Sequence, residues 1–157
     1  MNVVVYGTGM LMALVDQDRR AHALHKGLIA VGGHQPIAPG PALSQAWRTS
    51  PKTAYAWKRL LADIVVYPAP ARSAGATDLA PRCLPCTGGV TVEGWKTIGD
   101  MLGSASLPPK KRPDPVDALA VFIAASHGGG SVLTSDTDDI RAYAATLPGA
   151  DVSAVAV

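Results

Sequence analysis

The sequence predicts a single α/β domain of three layers, with a mainly parallel sheet between helices, and three observations carry that prediction. The apolar run Val3-Val4-Val5-Tyr6 reads as a strand that stops at a Gly7-Thr8-Gly9 turn and passes directly into a helix. The same design returns near the end, where Ser131-Val132-Leu133-Thr134 stops before Ser135-Asp136 and an acid-rich helix start. Finally, 157 residues, 48% of them hydrophobic with one Phe, suffice for one core built from Ala, Val, Leu and Ile.

Taken in order, strands are expected near residues 2–6, 36–38, 64–67, 132–134 and 152–157. A first amphipathic helix is expected from 10 to about 27, with Leu11, Leu14, Ala21 and Leu24 as its apolar stripe. A second helix carries Trp47, Tyr55, Trp57, Leu60 and Leu61, an aromatic stripe that suits core packing or, functionally, a partner surface. Residues 66–89 are dominated by Pro, Gly, Ala and Arg, lack periodicity, and read as an irregular insertion or loop. A helix then begins near Asp114, with Pro115 at its first position and an apolar body through Ala125.

The acids of these last elements suggest chemistry. Asp114 and Asp117 are three apart and share one face of a first helical turn. Asp136 follows a strand's carboxyl end, where ligand crevices form in open α/β sheets. Each acid alone also suits a helix start: Asp114 as an N-cap, and Asp117, Asp138 and Asp139 as partners of the helix dipole. Jointly with Asp136, they suit a divalent cation.

The residues also support a resemblance. Val3-Val4-Val5-Tyr6-Gly7-Thr8-Gly9-Met10-Leu11 resembles the first strand and turn of PIN-domain ribonucleases, and Pro41-Ala42-Leu43-Ser44-Gln45-Ala46-Trp47-Arg48 their second motif. Asp114-Pro115-Val116-Asp117-Ala118 and Val132-Leu133-Thr134-Ser135-Asp136-Thr137-Asp138-Asp139-Ile140 are similar to the third and fourth acidic motifs of toxins of the VapBC type. The resemblance covers residues 1–62 and 113–157 well. It is weaker between them, where the resemblance assigns Val90-Thr91-Val92 and then 95–102 to the family's strand and helix before the third motif.

The resemblance implies a metal-dependent endoribonuclease toxin that uses Mg²⁺ or Mn²⁺, is checked by a cognate antitoxin, and pairs into a homodimer. Asp117 and Asp136 would be the main metal ligands, Asp114 and Asp139 supporting acids, and Thr8, Gln45 and Ser135 polar neighbours that order water or phosphate. Members carry an Asp directly before Thr-Gly, where this chain has Gly7, and commonly an acid where it has Gln45. Two expected charges are missing, so the chain as written is expected to be impaired or inactive. The alternative is a non-catalytic module of the same fold that binds RNA or a protein. A DNA nuclease is a third option, since the same metal chemistry permits it.

Other readings are weaker. Gly7-Thr8-Gly9 lacks the third glycine of a dinucleotide fingerprint, Met12 standing in its place, and no acid follows about twenty residues later. The net charge of +2 gives no general polyanion field, but Lys110, Lys111 and Arg112 before the third motif, and Arg48 in the second, are placed to hold RNA phosphates. The longest apolar runs fall short of the ~20 residues of a spanning helix, and no basic leader precedes them, so a cytoplasmic protein is expected. Cys83-Leu84-Pro85-Cys86 is one Cys-x-x-Cys without a second pair, and no His lies at finger spacing. Reduced, non-catalytic thiols are therefore expected. His22 and His25 read as surface histidines and are assigned no chemistry.

Overall fold

The computed structural model describes residues 2–70 and 83–157. Five strands, β1 (Val3–Tyr6), β2 (Ile37–Pro39), β3 (Val65–Tyr67), β4 (Gly130–Thr134) and β5 (Val152–Ala156), form one sheet in the order β3-β2-β1-β4-β5. Every pairing is parallel. β1 lies at the centre, with Val5 opposite Ile37 of β2 and Val132 of β4.

Around the sheet pack α1 (Thr8–Val15), α2 (Arg19–Val31), α3 (Gly40–Ala46), α4 (Pro51–Asp63), α5 (Leu84–Gly88), α6 (Val92–Ser104), α7 (Pro115–Ser126) and α8 (Thr137–Ala144). Strand alternation sorts them into two layers. Val3 and Val5 of β1, Ile37 and Val132 face a core shared with Cys86 of α5, Ile98 and Met101 of α6, the apolar body of α7, and Ile140 and Tyr143 of α8. Tyr6, Ala38 and Leu133 point the other way, onto Met10, Leu11 and Leu14 of α1, Ala21 of α2, Ala42 and Ala46 of α3, and Trp57 and Leu60 of α4. The result is a three-layer α/β/α domain. Because the chain leaves β1 first towards β2 and β3 and later returns to β4 and β5, the topological switch point lies between β1 and β4. Crevices open there, beyond the strands' carboxyl ends.

Several elements differ from the sequence reading. The first helix is two helices: α1 ends at Val15, Gln17 adopts a left-handed φ of 62°, and the Asp18 side chain accepts from the Ala21 N–H to start α2. Residues 90–92 form no strand; Thr91 caps α6 by accepting from the Gly94 N–H, and Val92 already belongs to that helix. The strand expected near 64–67 is β3, but within the loop expected beyond it Leu84–Gly88 is a short helix with Pro85 in its first turn, while residues 71–82 lie outside the described part. The aromatic stripe divides: Trp57 is buried, whereas Tyr55 is exposed and Trp47, beyond the end of α3, lies against the Trp57 ring with centroids 5.0 Å apart. No helix among the described residues is long and apolar enough to cross a membrane.

Candidate active site

Two strand ends and three helix starts, those of α1, α7 and α8, build one pocket. β1 runs through Gly7 into Thr8 and Gly9, β4 ends at Thr134 before Ser135 and Asp136, and Thr8, Gly9, Thr134, Ser135 and Asp136, together with Gln45, Lys111, Arg112, Asp114, Asp117 and Asp139, line a cavity of about 260 Å³. The close approach of the two strand ends depends on Gly9, since a Cβ there would stand 2.5 Å from the Ser135 Oγ. A wider groove of about 670 Å³ between α2 and α4 holds none of these acids.

Each carboxylate is fixed by its position on a helix. Asp114 is the N-cap of α7: its Oδ1 accepts from the Val116 N–H at 2.8 Å, and its own N–H donates to the Tyr143 hydroxyl at 2.7 Å. Asp117 follows at the third position of that helix and faces the pocket. Asp136 is the N-cap of α8, its Oδ1 accepting from the Asp139 N–H at 3.3 Å, while its own N–H donates to Thr134 Oγ1 at 3.0 Å. That leaves Asp136 Oδ2 to face the pocket, where the Lys111 ammonium donates to it. Lys111 also pairs with Oδ1 of Asp139, at 2.8 Å, and Asp139 is buried. The first-turn acid Asp138 instead faces Arg141, outside the pocket.

Four acids with one ammonium among them set the electrostatics. Burial pushes the Asp117 carboxyl up to about 7, helped by the negative charges of Asp114, Asp139 and Asp136, with Lys111 acting in the opposite sense. Asp136 is held below the ordinary carboxylate range, chiefly by the Lys111 ammonium. Thr8 Oγ1 donates to Gln45 Oε1 at 2.7 Å, so the two polar side chains expected here do meet. Gly7 has extended backbone at the start of α1, and a Cβ there would lie 3.1 Å from the Leu133 carbonyl oxygen.

The fold thus gathers Thr8, Gln45, Asp114, Asp117, Ser135, Asp136 and Asp139 around one cavity, with Gly7 next to Thr8 beyond the end of β1. The basic residues are only partly where they were expected. Lys111 is turned into the acids, its ammonium pairing with both Asp136 and Asp139. Arg112 lines the rim, Lys110 does not, and Arg48 donates to the carbonyls of Gln45 and Trp47 outside the cavity.

Two sets of residues were missed. His25 is buried rather than on the surface: its Nδ1 receives the Tyr6 hydroxyl at 2.8 Å and its Nε2 lies 3.2 Å from Asp63, while His22 bonds the Leu14 carbonyl. The pair Tyr6 and Asp63 is 19 and 38 residues away, so no local pattern announces it. More consequential, His34, Cys83, Cys86 and His127 present ligand atoms that all lie within 4.8 Å of one another, a group that can hold a metal ion. Among the described residues, only this group of His, Cys, Asp or Glu is gathered so tightly; the acids of the pocket are not. Both cysteines are free thiols, and burial, then the neighbouring Cys83, pushes the Cys86 thiol up to about 12. Burial also holds His127 below the usual imidazole range.

No protein-family model matches the chain, and no curated protein matches it.

Proposed function

We propose that this chain has the design of a metal-dependent endoribonuclease toxin, impaired as written because Gly7 stands where an acidic ligand belongs. The observation that carries the reading is the convergence of Asp114, Asp117, Asp136 and Asp139 on one cavity at the switch point of the sheet, beside Gly7. The donor set suits a hard cation: carboxylate oxygens, with Mg²⁺ or Mn²⁺ held by Asp117 and Asp136 and supported by Asp114 and Asp139. When bound, such a cation lowers the pKa of a coordinated water and offsets the charge that develops on the phosphodiester. Thr8, Gln45 and Ser135 then orient water or phosphate, and Arg112 at the rim holds the neighbouring strand. The resemblance of the motifs adds a cognate antitoxin and a homodimer to this reading, and RNA as the substrate in preference to DNA.

A second reading draws support from Lys111. Its ammonium already pairs with Asp136 and Asp139, and without an acid at position 7 the pocket holds one carboxylate fewer to compete for a dication. That arrangement suits a non-catalytic module of the same fold that binds RNA or a protein.

Cleavage of RNA by purified Gly7→Asp separates the two. The toxin reading expects Mg²⁺- or Mn²⁺-dependent cleavage that Asp117→Asn abolishes and that the chain as written lacks. Metal binding by Gly7→Asp without cleavage of RNA favours the binding module, and cleavage of DNA alone favours a different nuclease.

A further inference from the structure

We propose that His34, Cys83, Cys86 and His127 bind one zinc ion as a closed tetrahedral site that staples three distant parts of the fold. The ligands come from the loop between α2 and β2 (His34), the start of α5 (Cys83 and Cys86) and the end of α7 (His127).

Geometry comes first. Zn–S bonds of about 2.3 Å and Zn–N bonds of about 2.0–2.1 Å place tetrahedral ligand atoms about 3.3–3.8 Å apart. Cys86 Sγ lies 3.3 Å from His34 Nε2 and 3.2 Å from His127 Nε2, and all four ligand atoms fall within 4.8 Å. The two imidazoles meet edge to face, with planes 79° apart, so that both Nε2 atoms converge on the same sulfur.

The outer hydrogen bonds fix the tautomers that a metal needs. His127 Nδ1 faces the Ile123 carbonyl at 2.7 Å, and His34 Nδ1 faces the Gln35 carbonyl at 2.6 Å. A carbonyl oxygen only accepts, so both Nδ1 atoms carry the proton and both Nε2 lone pairs point at Cys86. One thiol proton serves one of those nitrogens at a time. A cation at the centre satisfies both, and on binding it displaces the two thiol protons to solvent, leaving two thiolates and two neutral imidazoles around Zn²⁺.

Ligand type selects the metal. Two thiolates with two imidazoles suit zinc rather than Mg²⁺, Mn²⁺ or Ca²⁺, and four protein ligands leave no open position for a substrate, which marks the site as structural. It is also separate from the acidic pocket. Ten residues of α7, rising 1.5 Å each, set Asp117 and His127 about 15 Å apart on the same rod.

The test is metal analysis and Co²⁺ exchange on the purified, reduced full-length chain. The expected result is about one zinc per chain. Co²⁺ in its place should give the intense visible bands of tetrahedral cobalt and a thiolate-to-cobalt charge-transfer band in the near ultraviolet. Asp117→Asn should retain both signals, and Cys86→Ser and His127→Ala should lose them. Should those variants fail to fold, the cobalt spectrum of the unmodified chain decides alone. A reduced, folded chain that takes up no zinc and gives no thiolate-to-cobalt band overturns the proposal, as does zinc that leaves with Asp117→Asn.

Discussion

The Nζ of Lys111 stands 2.8 Å from Oδ1 of the buried Asp139, and the same ammonium reaches Asp136. A side chain that the sequence places on a basic RNA-binding run thus acts as the internal counter-ion of the acidic pocket. Any dication that enters must displace it or share the carboxylates with it. Lys111→Ala is therefore expected to tighten Mn²⁺ binding by about tenfold, a differential of about 1.4 kcal/mol in the binding free energy. Calorimetry on both proteins checks this; unchanged affinity would mean that the ammonium does not compete.

Asp117 gives the pocket a pH signature. Its carboxyl ionises near 7 in the folded chain against an ordinary value near 3.8, because burial and then the neighbouring acids disfavour the anion. Between those values the folded state binds more protons than the unfolded one. The Asp117 contribution to stability is thus fully present below about 3.8 and is lost as pH rises through about 7. His127 acts in the opposite sense below the usual imidazole pKa, since burial lowers its own. The Asp117 part is isolated by difference: the urea midpoint at pH 5 minus that at pH 8 should be more positive in the chain as written than in Asp117→Asn. The same proton must leave on metal binding, so Mn²⁺ affinity should rise with pH up to about 7.

Adding a carboxylate at position 7 has a cost without metal. The new Cβ meets the Leu133 carbonyl at 3.1 Å, and the new charge joins four acids and one ammonium. In chelator, Gly7→Asp should melt about 2–4 °C below the chain as written, as ~1 kcal/mol does in a domain of this size. Mn²⁺ should recover the loss by mass action. Gly7→Ala separates the steric part from the charge.

The buried relay behind the first strand carries its own prediction. Tyr6 donates to His25 Nδ1, which leaves the Nε2 proton for Asp63. Tyr6→Phe removes the donor and leaves a buried nitrogen unpaired, which costs about 1–3 kcal/mol. Denaturant unfolding measures it, and a neutral result would mean that water replaces the hydroxyl.

Much of the sheet was legible because its strands are short apolar runs ended by Gly, Pro or Asp. Expected strands at 132–134 and 152–157 became Gly130–Thr134 and Val152–Ala156, and 36–38 became Ile37–Pro39. The acidic pocket was legible in part for the same reason: Asp114 and Asp136 announce helix starts, and Asp136 follows the carboxyl end of a parallel strand, where crevices open. The break between α1 and α2 was hidden by an apolar stripe that continues across it, although Asp18 ahead of Arg19 was a visible cap signal. That Lys111 pairs with Asp136 and Asp139 was not legible, because a basic run shows charge but not direction. The His and Cys group was illegible in principle: His34 and His127 lie 52 and 41 residues from Cys86, and only folding makes them neighbours.

The claim that position 7 completes the pocket is tested most directly by titrating Mn²⁺ into the chain as written and into Gly7→Asp, with Asp117→Asn as the control. Binding at least about tenfold tighter in Gly7→Asp, lost again with Asp117→Asn, is the predicted result. Equal affinity in the first two proteins would contradict it, since the new carboxylate would then stand outside the ion's reach.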